Sequence, residues 1–224
     1  MRAIRDNGLS LAFLAIFLLT LVGESIAGHA YNNEELAAHG IAAIGYLDYV
    51  TSSDFLVDVA ENWQSEFLQF FLFILGTIWL IQRGSPESKK PGDEGLGTDE
   101  EQLVGAHAQP GSPAWASARG IRLWVYSNSL LLMMGSIFFL SWFAQSLAGH
   151  AVANEENARH GMPAETWADY VTSAEFWNRT LQNWQSEFLA VGAMVAFAIY
   201  LRQRGSSESK PVGTPHHTTS VEGE

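Results

Sequence analysis

A chain of 224 residues suits one soluble domain or a small membrane bundle, and its composition favours the bundle: 16 % of residues are charged and 47 % apolar. Lys and Arg number 12 against 24 Asp and Glu, a formal charge of −12, which leaves no electrostatic footprint for nucleic acid. The absence of cysteine excludes disulfides, thiolate zinc sites, iron–sulfur clusters and a cysteine nucleophile.

In chain order, the first apolar block covers 9–27 behind Arg2 and Arg5. It imitates a secretory signal peptide, but the Gly-His-Ala triplet that follows it recurs in mid-chain, so we read it as a retained span. The loop beyond predicts a short helix over 33–40, capped by Asn33 and ended by Gly40 in the left-handed conformation. Thr51-Ser52-Ser53-Asp54 has capping-box spacing and predicts a helix continuing to Arg83, with Gly84 ending it. That helix contains the second apolar block, 67–81, which is short of the roughly 20 residues a span needs. The span must therefore draw on residues 62–66, and Trp63 suits the interface there. Residues 91–118 read as a flexible linker rich in Gly, Pro and acids. Blocks three and four, 130–148 and 188–201, repeat the pattern, with Asn154, Gly161, Thr172-Ser173-Ala174-Glu175, Arg204 and Gly205 in the corresponding roles. Residues 211–224 read as a disordered tail, in which His216-His217 is a loose pair rather than a site.

The two halves match in register. Gly28-His29-Ala30, Asn33-Glu34-Glu35, His39-Gly40 and Asp48-Tyr49-Val50-Thr51-Ser52 all recur 121 positions later, as do Asn62-Trp63-Gln64-Ser65-Glu66-Phe67-Leu68 and Gln82-Arg83-Gly84-Ser85. The division that follows is 1–90 and 119–210 as two-span repeats, joined by the linker 91–118 and followed by the tail 211–224. Two spans per repeat give both copies one orientation, as in parallel membrane repeats. The predicted fold class is all-α: a polytopic membrane protein with four transmembrane helices in two tandem parallel repeats and short extracytoplasmic helical loops. Lys and Arg flank the spans on the side of the termini and linker, whereas the loops hold only Arg159 and Arg179. Both termini are thus expected in the cytoplasm.

The repeated polar residues converge on the outer boundary: His29, His39, Asn62, Gln64 and Glu66, with His150, His160, Asn183, Gln185 and Glu187. Carboxylates at that depth need partners. One reading is a hydrogen-bond network that welds the spans together. A second is a proton or solute path through Glu66 and Glu187, and a third is a metal site of His29, His150, Glu66 and Glu187. The Glu-x-x-His pair of di-iron bundles is missing, as are a nucleophile with its base and a phosphate-cradling glycine loop. The expectation is a non-enzymatic structural, interaction or binding module of the cell envelope, with no cofactor. Its partners would be the lipid bilayer and either a second copy or another envelope protein.

The stretches Gly-His…Asn-Glu-Glu…His-Gly, Tyr-Val-Thr-Ser-x-x-Phe, Asn-Trp-Gln-Ser-Glu-Phe-Leu and Gln-Arg-Gly-Ser-x-Glu-Ser-Lys resemble an uncharacterised family of bacterial four-span membrane proteins. The resemblance spans nearly the whole chain outside the linker and tail. It implies a bacterial cytoplasmic membrane and a duplicated two-span unit, and it brings no established activity, catalytic residue or ligand.

Overall fold

The structure, a computed structural model, describes residues 2–220, and the regular elements among them are all helical. A short α1 (Arg2–Asp6) leads into α2 (Gly8–Ala38), followed by α3 (Tyr46–Val50) and α4 (Ser53–Trp79). Residues 80–120 form turns with one 3-10 turn at Gly105–His107; then come α5 (Ile121–Ser127), α6 (Ser129–Arg159), α7 (Trp167–Val171) and α8 (Ala174–Tyr200). The limits of α6, α7 and α8 lie 121 positions after those of α2, α3 and α4, the spacing of the sequence matches.

At 31 residues each, α2 and α6 are about 46 Å long, more than the roughly 30 Å of a bilayer core. Both are long and apolar enough to cross a membrane, and only 6 % and 22 % of their apolar stretches are buried. Such exposure separates them from the core helix of a soluble domain. Leu19 is 73 % exposed and Phe13 65 %. The 27 residues of α4 and α8 reach about 40 Å. Their first halves carry Asn, Gln and Glu, which leaves a shorter apolar run than in α2 and α6.

Local structure departs from the sequence expectation at two places. The short helix over 33–40 is not separate: α2 runs unbroken to Ala38, because no proline interrupts it and the Asn33 side chain reaches forward to Ile44 instead of capping a new turn. The ending is the expected one. Gly40 and Gly161 adopt φ of 70° and 67°, and Ile41 N–H to Leu36 O (2.8 Å) closes a Schellman turn that Met162 and Asn157 repeat. At the other end of the loop, Ser52 and Ser173 cap α4 and α8 by accepting from Phe55 and Phe176 N–H, while the Thr51 hydroxyl turns back to Leu47 O.

The second departure is at the far ends of these helices. They stop at Trp79 and Tyr200, short of Arg83 and Arg204. The backbone N–H groups of Gln82 and Gln203 are taken by the hydroxyls of Ser88 and Ser209, and the Arg202 guanidinium covers the carbonyls of Ala198, Ile199 and Leu201. These bonds hold the chain out of helical register. The residues after α8 also have defined partners. Lys210 is 1 % exposed, and its ammonium donates to the carbonyls of Gly84 (2.6 Å), His216 (2.9 Å) and Thr218 (3.2 Å). Burial, and then the charge of Arg202, holds its pKa below the ordinary lysine range. Lys89, its counterpart, donates to Gly95 O.

The chain packs as two compact units, Met1–Ala60 with Ala144–Val171 and Glu61–Phe143 with Thr172–Glu224. In the first, Tyr49 and Tyr170 are buried against Gly28 and Gly149. In the second, Trp142 packs among Phe138, Phe176, Trp177 and Trp184, and Gly135 admits the Phe71 ring. A Cβ on Gly28 would lie 2.1 Å from the Tyr49 hydroxyl, and one on Gly149 2.1 Å from that of Tyr170. Gly28→Ala should therefore destabilise the protein by about 1–3 kcal/mol through overpacking. Adding Tyr49→Phe should restore part of the loss, measured as the midpoint of thermal unfolding in detergent.

Candidate functional site

The most defined polar geometry of the first unit lies where each loop returns to its long helix. Asn33 Oδ1 accepts from Ile44 N–H at 2.8 Å, and Ile44 O faces His29 Nε2 at 2.8 Å and Asn33 Nδ2 at 3.1 Å. Both backbone polar groups of one loop residue are thereby satisfied by side chains one helical turn apart. The other copy is the same to within a tenth of an ångström: Asn154 Oδ1 to Glu165 N–H at 2.8 Å, with His150 Nε2 and Asn154 Nδ2 at 2.8 and 3.1 Å from Glu165 O. The residue at the second site is Glu rather than Ile, which identifies the backbone as the recognised group.

The tyrosine follows directly. Tyr49 lies against His29 and Phe55, and Tyr170 lies against His150. Burial first, then the carboxylates Asp58, Asp54 and Glu24, pushes the Tyr49 phenol above its ordinary range. In the second loop the Thr166 hydroxyl (2.6 Å) and N–H (3.3 Å) donate to Asp169 and hold its carboxyl below the usual aspartate range. Ser25 hydrogen-bonds the Tyr46 hydroxyl, and the Trp167 indole donates to Ser146. The remaining histidines are peripheral: His39 Nδ1 lies 2.9 Å from Glu35 O on its own helix, and His160 is exposed.

The residues of the Asn-Trp-Gln-Ser-Glu stretches belong to the second unit. Arg179 Nε donates to Glu61 Oε2 at 2.8 Å, Asn183 Nδ2 to Glu61 Oε1 at 2.7 Å, and the Trp184 indole to Gln64 Oε1 at 2.7 Å. Glu187 is within electrostatic reach of Glu66 and of the Ser65 hydroxyl, which itself donates to Asn62 O at 3.0 Å. Gln64 is fully buried and its counterpart Gln185 is exposed; Asn62 and Glu66 are exposed and Glu187 is half-buried. Gln64 Nε2, Thr180 Oγ1 and Trp142 Nε1 are buried without a hydrogen-bond partner. Among the described residues no group of three or more His, Asp or Glu is placed to hold a metal ion. The side-chain contacts described between α4 and α8 are hydrogen bonds and one ion pair.

Sequence reasoning missed Glu61 and Arg179. Their counterparts are Gln182 and Asp58, so a search for repeated residues passes over them. It also read Asn33 and Asn154 as caps and left Tyr49 and Tyr170 without a role, although both stand inside repeated stretches.

These elements define an all-helical protein with two helices fit to cross a membrane and with polar side chains that pair among themselves. The chain belongs to the DUF6766 family, a domain of unknown function, whose family model matches residues 1–221. No curated protein matches it, and no solved structure does.

Asn154→Ala should leave Glu165 N–H without its acceptor and Glu165 O with His150 alone, at a cost of about 1–3 kcal/mol. Hydrogen exchange over residues 160–171 should accelerate, with residues 174–200 unchanged. Asn154→Asp keeps the oxygen that accepts from Glu165 N–H and should lose less.

Proposed function

We infer that this chain is an integral membrane protein of a bacterial cytoplasmic membrane, with four spans arranged as two tandem parallel repeats and both termini inside. Its role is that of a structural, interaction or binding module rather than a catalyst. The exposure of the apolar stretches of α2 and α6 carries the reading, because apolar helices of this length need lipid around them. On this reading α4 and α8 are the second span of each repeat, with residues 62–66 and 183–187 at the outer boundary. The repeats are 1–90 and 119–210, joined by 91–118 and followed by the tail 211–224. The non-catalytic reading is supported by the engagement of His29, Asn33, His150 and Asn154 with loop backbone and of Glu61, Arg179 and Asn183 with one another. Such residues weld a bundle. A second reading, a proton or solute path, draws on the electrostatic coupling of Glu187 to Glu66, and loss of flux in proteoliposomes on replacing both by Gln would favour it.

Reporter fusions at Gly95 and Gly161 test the topology: Gly95 should report inside and Gly161 outside, and an external signal at Gly95 would reverse or break the arrangement. Elemental analysis of the purified protein should show no stoichiometric transition metal. Metal near one equivalent per chain, lost on changing His29 and His150 to Ala, would replace the structural reading with a metal site.

A further inference from the structure

Three side chains of the second unit keep buried polar atoms without a hydrogen-bond partner: Nε2 of Gln64 on α4, Nε1 of Trp142 on α6 and Oγ1 of Thr180 on α8. Gln64 and Thr180 are fully buried. The three gather at one aromatic patch. The Trp142 ring centroid lies 6.2 Å from that of Phe176 and 5.8 Å from that of Trp184, and Thr180 stands one turn from each of these on the same face of α8. Trp184 in turn donates its indole N–H to Gln64 Oε1 at 2.7 Å. The other repeat carries Leu21 and Val59 where Trp142 and Thr180 stand, and Gln185, the counterpart of Gln64, is exposed, so this arrangement belongs to one copy alone.

The chemistry of these atoms selects an occupant. The bond from Trp184 fixes which way round the Gln64 amide sits, so the group left over is the Nε2 donor. Trp142 Nε1 also only donates, and two donors cannot satisfy each other. The Thr180 hydroxyl does not turn back to its own helix as those of Thr20 and Thr51 do to Ile16 O and Leu47 O. Leaving such groups dry is costly, and a water bonded to about three polar atoms is the usual remedy in protein interiors. An anion would also accept, but Arg179, next to Thr180, is already balanced by Glu61, and the chain carries a formal charge of −12. We propose that one water molecule is bound here between α4, α6 and α8, accepting from Trp142 Nε1 and Gln64 Nε2 and donating to Thr180 Oγ1. The site extends the hydrogen bonding between these helices beyond direct contacts, and it stands whether or not they span a membrane.

The test uses the full chain purified in detergent with isotope-labelled tryptophan, and the readout is magnetisation transfer from water to the Trp142 indole N–H in nuclear magnetic resonance. That resonance is identified by its loss in Trp142→Phe. The wild type should show direct transfer. Gln64→Leu and Thr180→Val should each weaken it, and the double variant should abolish it with helical circular dichroism unchanged. Absence of transfer in the wild type overturns the proposal. So does transfer that survives the double variant, which marks solvent arriving from outside. Transfer removed by Thr180→Val but untouched by Gln64→Leu marks the Thr180 hydroxyl itself as the source and has the same consequence. A shift of the Trp142 resonance when bromide replaces chloride would put an anion in place of the water and overturn it as well. Thr180→Val is isosteric and matched by Val59 in the other repeat, so it decides alone should the double variant lose its fold: transfer left at wild-type strength in it overturns the proposal.

Discussion

The close approach of a tyrosine hydroxyl to a helix glycine, Tyr49 on Gly28 and Tyr170 on Gly149, is the contact on which the first unit depends. Between a helix of 31 residues and one of 27, the connecting chain is held against the first. Little hydrophobic surface is available for that purpose. The connection has few residues, its apolar side chains Ile41 and Leu47 are exposed, and α3 is one turn long. The tyrosine supplies the buried area, and the absence of a Cβ lets it lie against the helix backbone. Asn33 and His29, and their counterparts Asn154 and His150, then fix the strand of loop that feeds α3 by binding its backbone. Ser52 and Ser173 then cap the helices that follow.

The two sequence copies agree at these anchors and part company on α4 and α8. Glu61 answers Gln182, and Asp58 answers Arg179. Had both copies kept Asp58 and Glu61, the second unit would bring acid towards acid. Arg179 changes the sign on one side, and Glu61 becomes the acceptor for both Arg179 and Asn183. The pair is half-buried, with side-chain exposures of 31 % and 15 %. Removing one partner therefore harms more than an exposed ion pair would suggest, because the other is left desolvated. Gln64 and Gln185 diverge in the same way, one fully buried under the Trp184 indole and the other exposed. Sequence identity at a repeated position does not carry identity of environment.

That distinction explains how much was legible in the sequence. The all-helical class, the two long apolar helices, the left-handed glycines at 40 and 161 and the serine-rich helix starts all follow from local rules: hydrophobic run length, backbone freedom and capping chemistry. The continuity of α2 through Asn33 was not legible, because an Asn before two acids is equally good as a cap and as a mid-helix residue with a distant partner. Its partner, the backbone of Ile44, carries no side-chain signal at all. The early ends of α4 and α8 depend on serine hydroxyls nine residues beyond them, Ser88 and Ser209, which bind the N–H groups of Gln82 and Gln203. Glu61 and Arg179 were hidden for a different reason. Repetition directs attention to what is shared, and this ion pair exists because the copies differ.

Polar groups withdrawn from water are costly unless they are satisfied, so the way they are satisfied constrains what they can do. Here His29 and His150 face backbone carbonyls, Asn33 and Asn154 bind loop backbone, and Asn183 and Arg179 donate to Glu61. A side chain that must release such a partner before touching a substrate starts from a deficit of about 1–3 kcal/mol for each bond broken. The repeated His, Asn and Tyr residues are directed at their own chain. Their recurrence in both copies matches the recurrence of the backbone contacts they make.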